Sequence, residues 1–391
     1  MLVNLQCDRR RISDIESHIS ELQRTVAALE DEKAVLCDRL NAYKYPVLTL
    51  PNEITSEIFL HFIPPYPECS PLVGPYSPMQ LMRICRKWRA VALATPSLWR
   101  TIGFTYIDSP LLHPADKGLD GLIGAWIERS GSCPLSVNIS HSWPLLRPAH
   151  AARAISAVIP SYARWEHLQL CLDGESLPEI QGSMPQLRSI DLDVSTVPDS
   201  MLFRLCDMPQ LRTASLSHPA ALRVALPWSQ LTTLKLLQIP PPYCPRILRQ
   251  TVCLVHCDLL FANDKGTIYT GPDINLPHLQ SLSLKPFYAM FVRGFHSALV
   301  VPALRQLEIP ERFLGENPPD SLRSFISKSA CKLTQLRITF REVRHQRPVV
   351  ADALYRAACP TALDFSSGLG SGHESEDCES EFGSEPDYDS Y

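Results

Sequence analysis

WEHLQL (165–170), LRSIDL (187–192), LRTASL (211–216), LTTLKL (231–236), LVHCDL (254–259), LQSLSL (279–284), LRQLEI (304–309) and LTQLRI (333–338) repeat one template, apolar-x-x-apolar-x-apolar. Successive starts are 22, 24, 20, 23, 25, 25 and 29 residues apart. The last four residues of each segment alternate in the period of a strand with one buried face, so each repeat predicts one strand. The intervening chain is expected to form connecting helix or irregular chain on the outside.

A period in this range with this template reads as a degenerate leucine-rich-repeat solenoid, assigned here to residues 146–365. Pro185, Pro209, Pro277 and Pro302 stand two residues ahead of a repeat leucine, where they end the preceding segment without removing a ladder hydrogen bond. They account for part of a high proline content, 35 in 391 residues, against a usual ~5%. The Asn of the usual repeat signature is replaced by Ser195, Pro219, Ile239 and Ala262, so irregular turns are expected. Upstream, GLIGAWIERSGSCPLSVNIS (121–140) reads as a helix followed by a strand at Leu135, Val137 and Ile139. It is expected to cap the first strand edge, within a linker and cap spanning 106–145.

At the other end of the chain, Leu5, Ile12, Ile19, Val26, Lys33 and Leu40 are spaced by seven, with Ile15, Leu22, Leu29 and Leu36 as the second series. These are the a and d positions of a coiled coil over residues 1–45. Ile or Val at a with Leu at d favours a parallel homodimer; the alternative is a single amphipathic helix folded back on the body. Pro46 ends the helix.

A second helical unit, 46–105, follows at once. Ile54, Ile58, Phe59 and Phe62 keep helical spacing after Pro51, residues 63–77 are rich in Pro, Gly and Ser, and a second helix is predicted from Met79 to about Leu93. Thr95-Pro96-Ser97-Leu98-Trp99 then forms a turn with two large apolar side chains. The stretches LPNEITSEIFLHF (50–62) and MQLMRICRKWRAVALATPSLWRTI (79–102) combine Leu-Pro, Ile-x3-Ile-Phe, Cys-x2-Trp-Arg and Pro-x-Leu-Trp. Together they resemble the F-box motif, particularly the F-box-like version abundant in mushroom-forming fungi. The resemblance implies a small helical bundle docking on a Skp-family adaptor, and through it on a cullin and a RING subunit. By position it assigns adaptor contact to Leu50, Pro51, Ile54, Ile58, Leu81, Cys85, Trp88, Leu98 and Trp99, any of which could instead hold the bundle together. The 63–77 loop departs from the common pattern and reads as a surface insertion, which costs little entropy.

The formal charge of −4 hides an acidic tail: residues 374–391 carry eight acidic side chains and no Lys or Arg, within a segment 366–391 expected to be disordered. The remaining 37 basic and 33 acidic residues are dispersed, which excludes the concentrated basic face of a nucleic-acid-binding protein. No signal peptide and no apolar run of membrane-spanning length occur, and 13 scattered cysteines suit reduced thiols, so an intracellular location is expected. Cys253, His256 and Cys257 lack a second ligand pair, and no metal or other cofactor is expected. No phosphate-binding loop, Gly-x-Ser-x-Gly, His-Glu-x-x-His or RING spacing is present, and no catalytic residue is assigned.

The expected fold class is therefore α plus α/β: coiled coil, helical F-box bundle, degenerate repeat solenoid. The expected function is that of a substrate-recognition subunit of a Skp–cullin–F-box ubiquitin ligase. An interaction scaffold using the same coil and repeats without a ligase is the alternative. Outward strand positions would hold the target protein, with Asp191, Asp193, Lys235, Asp258 and Lys285 as the charged candidates.

Overall fold

Helix α1 (Leu2–Ala42) runs through the heptad segment without a break. It has no Pro or Gly to interrupt it, and its Ile12, Ile15, Ile19, Leu22, Val26, Leu29, Leu36 and Leu40 are all 46–70% exposed. Among the described residues, none covers this seam. The computed structural model describes residues 2–42, 46–104, 118–140, 148–172, 182–194, 205–262, 269–287, 292–339 and 363–364. The acidic tail expected at 366–391, and residues 106–117 and 141–145 of the expected 106–145 linker and cap, lie outside these residues.

Beyond a short 3₁₀ turn (Pro46–Thr49) come α2 (Asn52–Phe62), α3 (Pro78–Ile84) and α4 (Arg86–Leu93). The single helix expected over 79–93 is two, divided at Cys85, whose φ of −155° and ψ of 170° are extended. The division leaves each helix with its own cap: Ser77 Oγ accepts from Met79 N at 3.2 Å, and Cys85 Sγ accepts from Trp88 N at 3.4 Å. A 3₁₀ turn, Pro96–Trp99, then delivers the chain directly into strand β1 (Thr101–Phe104).

After β1 come α5 (Gly118–Arg129), β2 (Leu135–Ser140), α6 (Pro148–Val158), β3 (Trp165–Leu172), β4 (Gly182–Ser183), β5 (Ser189–Val194), β6 (Leu205–Cys206) and β7 (Thr213–Ser217). They are followed by α7 (His218–Arg223), β8 (Thr233–Ile239), α8 (Cys244–Leu248), β9 (His256–Phe261), β10 (Ile274–Asn275) and β11 (Ser281–Pro286). The series ends with β12 (Leu299–Val300), β13 (Gln306–Pro310), α9 (Pro318–Ser329), β14 (Gln335–Thr339) and β15 (Leu363–Asp364).

Eleven of these strands form one parallel sheet in the order β1-β2-β3-β5-β7-β8-β9-β11-β13-β14-β15. Each therefore lies beside the one before it, as expected when every connection is short. The pairing register places Ile102, Val137, Leu168, Ile190, Ala214, Leu234, Cys257, Leu282, Leu307 and Leu336 in one row, all at most 4% exposed. A parallel sheet with alternating burial has one covered face and one open face. Here α5 to α9 and several 3₁₀ turns cover the apolar side, and the residues between the apolar ones form the open face.

The prolines act as turn formers rather than simple terminators. Leu187 N, Leu211 N, Leu279 N and Leu304 N each donate to the carbonyl three residues back, at 3.1–3.3 Å, closing turns whose second residue is Pro185, Pro209, Pro277 or Pro302.

The first sheet edge differs from expectation. The helix and strand at 121–140 are α5 and β2, but β1 lies outside them. The edge thus comes from the end of the helical unit, inside the segment 46–105. The reason is steric continuity: Leu98 and Trp99, with no accessible surface, pack into the same core as Ile102, Ile123 and Trp126, so the chain has no room for a separate linker before the first strand.

Candidate functional site

The helical unit presents one face of α2 to solvent. Ile54 is 51% and Ile58 46% exposed, while Phe59 on the opposite side is buried against Trp88, ring centroids 5.0 Å apart. Val47 and Ile84 are also exposed, at 42% and 59%, so apolar surface lies open on a small bundle. Pro51 is exposed, and Leu50, Cys85 and Trp88 are half-buried. Leu50 is held from behind: Lys87 Nζ donates to the carbonyls of Leu48 and Leu50, both at 2.7 Å. Two carbonyls ahead of α2 thereby share one charged donor.

Three residues implied as adaptor contacts stand elsewhere. Leu81 is buried, and Leu98 and Trp99 have no accessible surface, so the contact implied for them is corrected: they build the interior. Trp99 Nε1 donates to Ala92 O at 2.8 Å, its ring meets Trp126 edge-on at 4.8 Å, and the Arg129 guanidinium stands 4.7 Å over it. Trp126 Nε1 in turn donates to Thr101 O at 3.1 Å, on β1. Periodicity marks these side chains as apolar; it does not say whether a partner or the chain's own sheet covers them. An edge-to-face aromatic pair adds about 0.5–1.5 kcal/mol beyond its burial, so this joint between bundle and sheet is firm.

The 63–77 loop is the second half of that joint and not a free insertion. Pro71 bridges to Gly103 on β1, and a Cβ on Gly103 would sit 2.8 Å from Ser70 O and 2.9 Å from Cys69 Cβ. Only glycine permits this approach. Ser70 N donates to Thr101 Oγ1 at 3.2 Å, and Ser136 Oγ donates to Pro67 O at 2.7 Å. Further along, Tyr66 OH donates to Glu166 Oε2 at 2.5 Å, while Arg188 Nε holds Glu166 Oε1 at 2.9 Å. The Arg100 guanidinium stacks 3.8 Å over the Tyr66 ring, and His167 lies edge-on to it at 5.4 Å. Burial first, and then the Glu166 carboxylate, push the Tyr66 phenol well above its ordinary range, so it stays a donor. Burial likewise raises the Cys69 thiol to about 11, which leaves it protonated.

The open face of the sheet carries the residues expected to meet a target. Asp191, Ser215, Lys235 and Asp258 occupy one row across β5, β7, β8 and β9, and Asp193 and Lys285 lie one row further along the strands. Their environments differ. Lys285 Nζ is 3.5 Å from Asp258 Oδ2 and 3.8 Å from Glu308 Oε2, and Arg337 Nη1 is 3.8 Å from Glu308 Oε1. Charge thus alternates from strand to strand and is compensated within the sheet from β9 to β14. At β5 the balance is acidic: burial raises the Asp191 carboxyl, opposed by the Ser215 hydrogen bond and the Lys235 charge, and Asp193 is exposed beside it.

Sequence reasoning missed Lys87 and Tyr66. Neither has a local signal, because their partners are 37, 39 and 100 residues distant. Among the described residues no group of three His, Cys, Asp or Glu side chains is placed to hold a metal ion, and no helix is long and apolar enough to cross a membrane. A search of curated proteins finds no match to the chain. The F-box-like family profile matches residues 47–105, the segment that holds the exposed Ile54 and Ile58, the Lys87 brace and the Trp99 joint. Residues 47–105 are therefore an F-box-like domain, a unit of protein–protein interaction typically found in Skp–cullin–F-box ubiquitin ligases and bound to a Skp-type adaptor.

Proposed function

We propose that this chain is the substrate-recognition subunit of a Skp–cullin–F-box ubiquitin ligase. One observation carries the reading: an F-box-like domain with an open apolar face is fused through a shared core to a parallel sheet with an open polar face. The adaptor, and through it the cullin, binds at Leu50, Pro51, Ile54 and Ile58, with Cys85 and Trp88 behind them. We read the sheet as a degenerate leucine-rich-repeat solenoid, since eight of its eleven strands, β3, β5, β7, β8, β9, β11, β13 and β14, follow the repeat template in order. Its open face holds the target. A firm joint suits this role, because ubiquitin transfer needs the target held at a set distance from the ligase core. The chain itself supplies surfaces and no catalytic group, acts inside the cell, and uses α1 as a coiled-coil element.

The test is affinity purification of the tagged chain from cells with the proteasome blocked, which should recover adaptor, cullin and target together. Replacing Asp191, Asp193, Lys235, Asp258 and Lys285 by Ala should release the target, by about tenfold or more if two charged contacts are lost, while adaptor recovery is unchanged. Target retention at full strength would move the binding site to the loops at the rim of the sheet.

A further inference from the structure

Tyr76, in the 63–77 loop, has a backbone φ of 63° and is 61% exposed. A bulky side chain in the left-handed region is an outlier that the surrounding structure must impose. Here a turn imposes it: Ser77 N donates to Gly74 O at 3.3 Å, with Pro75 second and Tyr76 third. A turn with Pro second and a positive φ third takes Gly or Asn there by preference, so tyrosine at this place costs the fold stability. The ring, mostly open to solvent, offsets little of that by burial. We infer that Tyr76 is an anchor for the Skp-family adaptor, added by this loop to the face that Ile54 and Ile58 present.

The adaptor is the occupant because Tyr76 continues its face. Ile58 stands four residues beyond Ile54, and Phe62 four beyond Ile58, so the three are successive neighbours on the surface of α2. Phe62 is half-buried, packed in part against the core, and its ring centroid lies 6.0 Å from that of Tyr76. Ile54 to Phe62 covers about 12 Å of helix, which sets Tyr76 within about 20 Å of Ile54. One partner's share of an ordinary interface, about 800 Å², is a patch about 30 Å across and takes in both. Tyrosine suits the position, since it brings a large apolar body and one hydroxyl at small cost in ordering. The matching surface of the adaptor is an apolar recess with an acceptor at its rim for the phenol.

The position of Tyr76 is held from α3. Ser77, with no accessible surface, donates through Oγ to Leu72 O at 3.0 Å and caps α3, and Gln80 Nε2 donates to Gly74 O at 3.2 Å. The other end of the loop, from Tyr66 to Pro71, is the part tied to β1 and β3. Tyr76 is therefore set in place before binding, which reduces the ordering that contact requires. It also keeps its place when the sheet end of the loop is loosened. The assignment rests on the receptor reading above, because the adaptor is the partner it names.

The experiment is calorimetric titration of the purified full chain with a purified Skp-family adaptor, for the unmodified chain, Tyr76→Gly and Tyr76→Asn. Melting temperature and the light-scattering mass of the free chain are measured on the same samples. Gly and Asn both tolerate the left-handed conformation and remove the ring. The expected result is adaptor affinity about tenfold lower in both variants, with melting temperatures equal to or above that of the unmodified chain. A ring that merely held the loop would lower affinity and melting temperature together, and that outcome overturns the inference. Unchanged affinity in both variants overturns it as well and leaves the receptor reading standing; a mass that falls in those variants would then assign the ring to contact with a second copy. An unmodified chain that does not bind the adaptor removes the inference and the receptor reading together.

Discussion

Lys87 lies between the carbonyls of Leu48 and Leu50, at 2.7 Å from each, and keeps the segment before α2 against the bundle. Hydrogen bonds to a charged group contribute about 1.5–3 kcal/mol each when buried, and this site is half-open, so a net loss near 1.5 kcal/mol is expected for Lys87→Met. That corresponds to roughly tenfold weaker adaptor binding. Calorimetric titration should show it with little change in melting temperature, because the side chain braces a surface segment and not the core. At the opposite end, His296 is buried, its Nε2 2.8 Å from Ser321 Oγ and its ring near Phe325. Burial lowers its pKa to about 4. The unfolded chain takes up a proton near pH 6.5 that the folded chain refuses until about 4, so stability falls as pH drops through this window. The loss attributable to this group approaches about 3 kcal/mol. Denaturant titrations between pH 4 and 7 should show a shallower slope for His296→Asn; an unchanged slope would place the proton elsewhere.

At the scale of elements, the strands were legible and the joint was not. In the strands, alternate residues are buried, and a period of two with a turn-forming Pro ahead of it is a local signal. Strand β1 has no such signal, since all four of its residues are buried. The break at Cys85 was hidden because apolar residues on either side of it keep helical spacing. Loop 63–77 has the composition of a free surface segment, yet its Tyr66 meets Glu166 and its Ser70 and Pro71 lie on β1. Such contacts are set by the tertiary fold, which loop composition does not encode. Gly103→Ala probes the joint: its new Cβ would meet backbone at 2.8 Å, too close for a side chain to adjust. The expected result is faster amide exchange over residues 63–77, with adaptor binding intact, since the atoms that a Cβ on Gly103 would meet belong to Cys69 and Ser70 and not to the exposed Ile54 and Ile58 of α2. Unchanged exchange would mean that the loop is not held by its approach to β1.

For the molecule as a whole, one apolar core runs from Phe59 in α2 to Ile338 in β14. An F-box-like domain and a target-holding sheet built on that core would move together, which is the physical content of the proposed receptor. Of the nine residues implied as adaptor contacts, sequence alone could not separate those facing outward from those facing inward; exposure separates them. Ile54 and Ile58 face solvent, whereas Leu98 and Trp99 are sealed inside. The most direct test of the account is therefore the affinity of the purified full chain for a purified Skp-family adaptor, compared with that of Ile54→Asp/Ile58→Asp. Two charges on an apolar docking face should each cost about 2 kcal/mol or more, so the account expects tight binding by the unmodified chain, at least 100-fold weaker binding by the variant, and the same melting temperature for both. A folded chain that does not bind the adaptor, or a variant that binds it equally well, would contradict the account.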